Sequence, residues 1–218
     1  MFNPLILLVP CAVMFCFGQI NTGNGAEPLV SSRSLHQVTL DGQITSPDEW
    51  SDTSSYDVSL DKACCWPDKQ VEPNAAVMTV RFKNDDSWLY MLYKIRWPES
   101  ETDPEDGAFI ENFIGPYGPP WAESDFSAVS FGGETVDLHG WDDTRWYSDV
   151  EAGGRNDVEG AASYKGDSYW FEFRKRLNSG DGYDWTLEAA GMVGLMVGLF
   201  DDGDSVAYEQ SVLLHIAR

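Results

Sequence analysis

Two methionines and two glycines alternate through the segment GMVGLMVGLFDDG. Side chains of an extended strand point to opposite faces in turn. Met192, Gly194, Met196 and Gly198 therefore share one face, and Val193, Leu195, Val197 and Leu199 share the other. The Val/Leu set is core material. Glycine weakens a strand unless something approaches its backbone closely, and thioethers are soft, adaptable contacts. Together they describe a groove in which a flat ligand could lie. A second packed layer over the same face is the simpler account of the pattern.

Two further residue sets carry binding chemistry. Trp66, Tyr117, Trp121, Trp141, Trp146 and Tyr147 fall in or near expected loops. Sugar rings stack on such faces while neighbouring carboxylates and amides take the hydroxyls, although tryptophans also cap sandwich cores. Asp201, Asp202 and Asp204 crowd a glycine turn, and hard oxygen donors at that density suit calcium. The turn lacks the twelve-residue loop and closing glutamate of an EF-hand, so a solvated turn is the ordinary reading. Catalytic signatures are missing: there is no Gly-x-Ser-x-Gly, no His-Glu-x-x-His and no phosphate loop. The expectation is a binding protein, not an enzyme.

Composition narrows the partners. The chain has 218 residues and a formal net charge of −22, which disfavours nucleic acid and anionic lipid by repulsion. Leu5 to Gly18 is an apolar run broken by Pro10 and followed by small polar residues up to Ala26, the build of a secretory leader. It is shorter than the roughly 20 residues that span a bilayer. The expected organisation is a leader over 1–26, touching membrane only if it stays uncleaved, and one extracytoplasmic domain over 27–218. Cys11 and Cys16 would leave with the leader. The adjacent Cys64 and Cys65 form no disulfide framework and no zinc site.

The elements that must position these residues are mostly strands. Val38 to Trp50 reads as a short strand, an Asp-Gly turn and a helical start at Ser46-Pro47. Residues 77–97 read as a hairpin around Asn84-Asp85-Asp86, with Trp88 to Trp97 a central strand and Met91 in the core. Residues 99–124 read as a long excursion from the sheet. Further strands fit at 126–131, 135–139, 160–164, 169–177, 184–188, 192–200 and 207–216. Helix is scarce. Lys175, in FRKRL, reads as a solvated or edge-protecting charge, and His36 and His215 as surface groups. Short strands at regular spacing with Gly and Asp turns give an all-β fold, an antiparallel β-sandwich with long loops.

Three segments in order resemble one known family. They are VRFKNDDSWLYMLYKIRWPESETD (80–103), VDLHGW (136–141), and the pair formed by the strand from Trp170 to Leu177 and the turn LFDDG (199–203). They are similar to the haem-binding domain of ethylbenzene dehydrogenase γ-subunits and dimethylsulfoxide reductase-related proteins. That domain shares its sandwich with DOMON domains and family 9 carbohydrate-binding modules. Leu40-Asp41-Gly42 followed by Glu49-Trp50 looks like the start common to this superfamily. The resemblance implies a b-type haem at one end of the sandwich and a redox partner protein. An axial ligand is a His nitrogen or Met sulfur in an apolar pocket. His139 is the first candidate, with Met196 or Met192 opposite, and Tyr117, Trp121, Trp141 and Trp146 as pocket wall. A histidine satisfied by a carbonyl at a strand end is the plainer account of His139. Two readings stay open beside haem: a module recognising an extracellular glycan, and a structural subunit cross-linked through Cys64 and Cys65.

Overall fold

The computed structural model describes residues 28–60, 76–96, 103–113, 124–142, 145–187, 191–201 and 204–217. At 76, 112, 113, 141, 142, 145, 146, 201 and 204–211 it describes the backbone alone. The leader, Cys64, Cys65, Tyr117, Trp121 and Asp202 lie outside the described residues, as do the side chains of Trp141, Trp146, Asp201 and Asp204.

The strands are β1 (Leu29–Arg33), β2 (Tyr56–Leu60), β3 (Ala76–Asn84), β4 (Trp88–Ile95), β5 (Gly107–Phe113), β6 (Asp125–Ser130), β7 (Thr135–Asp142), β8 (Arg145–Ser148), β9 (Val158–Lys165), β10 (Ser168–Arg176), β11 (Met192–Asp201) and β12 (Asp204–Ile216). One helical turn, α1 (Asp149–Ala152), follows β8. They hydrogen-bond in the order β8-β7-β6-β5-β11-β12-β1-β3-β4-β10-β9, with β2 on β3. The expected all-β sandwich is present. Its two layers meet at β1, which pairs with β12 through Leu29–Ser31 and with β3 through Ser32 and Arg33, parallel in both cases. All other pairings are antiparallel.

Alternation sorts the side chains. Met78, Val80 and Phe82 of β3, Leu89, Met91, Tyr93 and Ile95 of β4, and Phe171 and Phe173 of β10 face inward from one layer. Ala108, Ile110 and Val129 with Val193, Leu195, Val197 and Leu199 of β11 face them from the other. Burying each of the larger side chains contributes about 1.5–3 kcal/mol. Tyr93 packs edge-on against Phe82 and Phe173, at 6.2 and 5.1 Å between ring centroids. The 77–97 hairpin, the central position of β4 and the inward Val/Leu face of β11 are as expected. At the hairpin turn Asp85 Oδ1 accepts from the Ser87 and Trp88 amides at 2.7 and 2.8 Å.

Three expectations are corrected. The long excursion at 99–124 contains β5, which lies between β11 and β6. Of the strand expected at 184–188, the described residues 184–187 are not a strand, because the loop after β10 turns back, closed by the Leu187 amide donating to Leu177 O at 2.7 Å. Residues 34–55 form no early strand but an arm across the outer face of the layer holding β3, β4 and β10, where Trp50 packs with Tyr90 and Leu92. Gly42 at the bend of this arm has φ +72°, and a Cβ there would sit 2.5 Å from the Ala162 carbonyl carbon. Only glycine fits both demands.

Candidate functional site

One end of the sandwich holds a charged knot that the sequence reading missed. Lys175 falls on the same face of β10 as Phe171 and Phe173, so it points between the layers, and its side chain is 1% exposed. The expected solvated charge is one of the most buried groups among the described residues. Its ammonium donates to Asp125 Oδ1 at 2.7 Å, Asp137 Oδ1 at 2.8 Å and Asp184 Oδ1 at 2.6 Å. Asp125 comes from β6 and Asp137 from β7, on the layer opposite Lys175. Asp184 comes from the loop after β10. Burial opposes the charge on Lys175, and the three carboxylates more than reverse that, holding it well above the usual lysine range.

A backbone frame fixes the carboxylates. Asp125 Oδ2 accepts from the Trp185 amide at 3.1 Å, and Asp137 Oδ2 from the Asp157 amide at 2.8 Å. Next to them His139 Nδ1 lies 2.6 Å from Asp149 Oδ1, with both side chains buried. Burial pushes the imidazole below its ordinary value and the Asp149 carboxyl up to about 7. Tyr183 lies over His139 at 4.6 Å between ring centroids and donates its hydroxyl to Ala152 O at 2.8 Å. The 177–187 loop folds on itself, with Asp181 Oδ1 accepting from the Tyr183 amide at 2.9 Å and Asp181 Oδ2 from the Arg155 amide at 3.1 Å. Gly154 lets the chain pass so closely that a Cβ would stand 2.8 Å from Tyr183 and 2.9 Å from Asp181 Oδ2.

The structure separates the residues expected to act on one ligand. His139 pairs in register with Asp125, and both face the interior. Met196 pairs with Glu111, and Glu111 with Phe126, a row on the opposite face of the same sheet. His139 and either methionine therefore cannot be the two axial ligands of one iron. Met192 is 51% exposed and Met196 is 4% exposed, about 13 Å apart along the strand at roughly 3.3 Å per residue. Met196 is packed with Phe109 and Ala128, against Phe126, Val136 and Phe200, so the Met/Gly face is largely a second apolar layer. Gly194 is open, with nothing within 4 Å of an added Cβ. His36 and His215 are exposed, as expected.

The described strand ends nearest the aromatic residues converge at backbone level. In the antiparallel run β5-β6-β7-β8, the end of β5, the start of β6, the end of β7 and the start of β8 lie at one end of the sheet. Phe113 and Ser124, on either side of the sequence that bears Tyr117 and Trp121, lie at that end. Trp141 falls at a register irregularity between Gly140 and Asp142, and Trp146 pairs with Gly140. Bulges of this kind cluster beside binding sites. The Lys175 knot lies beneath the same end, since Asp125 is the first residue of β6.

No known family matches the chain, and no curated protein does. Two solved structures are similar to it over most of their length. One is a family 9 carbohydrate-binding module from Caldicellulosiruptor kristjanssonii in complex with glucose, 10% identical, covering 88% of this chain and 96% of that one with a TM-score of 0.52. The other is such a module from the same organism in complex with cellotriose, 12% identical, covering 87% and 93% with a TM-score of 0.51. At that identity the likeness is one of fold. It agrees with the sandwich that the sequence resemblance implied.

Proposed function

We propose that this chain is a non-catalytic carbohydrate-recognition module acting outside the cytoplasm. The observation that carries the reading is the sandwich it shares, over most of its length, with modules solved holding glucose and cellotriose. The topology supports it, because the end of β5 and the start of β6, which flank the segment bearing Tyr117 and Trp121 in sequence, lie at the same end of the sheet as the backbone of Trp141 and Trp146. Aromatic faces for the C–H surface of a sugar and oxygens for its hydroxyls are what a saccharide needs. The leader-like N-terminal run supports export. Haem has weaker support, since His139 and the methionines stand on opposite faces of one sheet.

Titration calorimetry with glucose and cellotriose, beside a glycan array, tests the proposal. Binding that weakens at least tenfold in Trp121→Ala or Trp141→Ala, with the fold intact by circular dichroism, is the expected result. No binding to any glycan at millimolar concentration overturns it. A stoichiometric Soret band from protein made in an exporting host would return haem to first place.

A further inference from the structure

Beside Lys175 the carboxylates outnumber the cations that can reach them. Six aspartates, at 125, 137, 149, 157, 181 and 184, surround one buried ammonium. That ammonium donates to Asp125, Asp137 and Asp184. Arg176 Nε stands 3.9 Å from Asp157, on a side chain that is 44% exposed, and the Arg155 charge also acts on Asp157. The Arg155 guanidinium donates to Ser179 O.

Counting oxygens sharpens the imbalance. Both oxygens of Asp125 and of Asp137 are satisfied, one by Lys175 and the other by a backbone amide. The second oxygens of Asp149, Asp157 and Asp184 are fully buried and have no hydrogen-bond partner among the described residues. The side chains of these residues are 0%, 9% and 1% exposed. One oxygen each of Asp149, Asp181 and Asp184 lie within 4.8 Å of one another. Burial first, and then the neighbouring Asp184 charge, push the Asp157 carboxyl above its ordinary value. Buried carboxylate oxygens turned toward each other need either protons or a cation between them.

We propose that Asp149, Asp181 and Asp184, with Asp157 beside them, form a calcium site that pins the 177–187 loop and α1 to the end of the sandwich. Four carboxylates are more than magnesium takes, since it keeps most of its waters, whereas calcium accepts six to eight oxygens at about 2.3–2.6 Å. Zinc would want nitrogen or sulfur, and the one imidazole nearby points its Nδ1 at Asp149. Asp181, only half-buried on the loop surface, gives the ion its way in and room for water ligands. This site is separate from the Asp201, Asp202 and Asp204 turn, and it does not depend on the carbohydrate reading.

Chelator-treated protein, with no sugar present, is titrated with terbium(III) while Trp185 and Tyr183 are excited, and the signal is competed with calcium and then magnesium. The expected result is saturable sensitised emission, displaced by calcium at a concentration at least tenfold below magnesium. The melting temperature should also rise between EDTA and 2 mM calcium. Asp181→Asn and Asp157→Asn, which leave the Lys175 contacts intact, should each weaken calcium at least tenfold. Two outcomes overturn the proposal. In one, terbium emission is absent and the melting temperature is the same in EDTA and calcium, leaving protons as the occupants of the facing oxygens. In the other, calcium binds equally well to wild type and both variants, which places the ion elsewhere.

Discussion

Lys175 shows how much one side chain can hold. Its ammonium joins β10 to β6, β7 and the 177–187 loop, and removing one partner of a buried ion pair costs about 3–5 kcal/mol because the opposite charge is left uncompensated. Lys175→Met should leave three carboxylates facing each other and lower the unfolding free energy by at least that much in urea melts, with a matching fall in midpoint. An unchanged midpoint would mean that the knot contributes nothing. Glu111 tests the reverse case. It is 2% exposed on the outer side of β5, and burial pushes its carboxyl up to about 8, with Ser124 opposing and the Asp125 charge adding to the rise. Its unfolded value is near 4.5, so between about pH 4.5 and 8 the folded chain binds the extra proton. Stability is therefore full below that window and falls as pH rises through it, by up to about 1.4 kcal/mol per pH unit. Glu111→Gln should flatten the slope and stabilise the protein at pH 8.5 but not at pH 4, as thermal melts across that range would show. The phase of Lys175 and of its partner Asp137 was legible: Lys175 keeps step with Phe171 and Phe173, and Asp137 with His139. A lysine among phenylalanines looks like edge protection until its partners are known. Those partners are 9 to 50 residues away, a distance that no local pattern reports.

Among the elements, the 34–55 arm depends on two buried charges of the layer it covers. Glu172 Oε2 accepts from the amides of Asp41, Gly42 and Gln43 at 3.2, 3.0 and 3.2 Å, and its Oε1 accepts from Trp50 Nε1 at 2.9 Å. Lys83 donates to His36 O, to Glu49 O and to Asp52 Oδ1, and its ammonium lies 5.1 Å from the centre of the Trp50 ring. Burial and the charges of Glu49 and Asp41 push Glu172 up to about 7, against the donors that favour its ionised form. Glu172→Ala would leave four donors without this acceptor. The arm should then release before the sandwich unfolds, seen as faster amide exchange and new protease cuts within 34–55, with a loss of about 2–4 kcal/mol. Exchange that speeds up evenly across the chain would instead mean that arm and sandwich unfold together. Strands built on alternation were readable from sequence, among them β3, β4, β7, β10 and β11. β5 was not, because Gly107-Ala-Phe-Ile-Glu-Asn-Phe follows an acidic, proline-bearing stretch and carries a buried glutamate, so its composition speaks for a loop. Its central place is set by the strands on either side.

At the scale of the molecule, the described sheets are joined through β1 alone, five residues long and parallel to a neighbour on each side. Asn84 ties the chain's two ends to this seam: its Oδ1 accepts from Ser31 Oγ at 2.7 Å and its Nδ2 donates to Ala217 O at 2.9 Å. The apolar run before Ala26 and the turn signals after it pointed to export and to a sandwich. They held no sign that the strand at Leu29–Arg33 would close both sheets, since parallel pairing reaches across the whole chain. A cut after Ala26, where the sequence suggests one, would leave this strand intact. Protein starting at residue 34 would lose β1 and expose the unpaired edges of β12 and β3. Such edges recruit other chains. Compared with protein starting at residue 27, the truncated form should lose about 3 kcal/mol, a fall of roughly 6–12 °C in melting temperature for a chain of this size. It should also elute as higher oligomers at micromolar concentration. The net charge of −22 sharpens the test. Like-charge repulsion keeps such chains apart at low salt and is screened beyond about 10 Å at 0.1 M, so self-association of the truncated form should grow with added sodium chloride while the longer form stays monodisperse. Equal melting temperatures and equal elution would show that the two layers hold together through their buried faces without the seam.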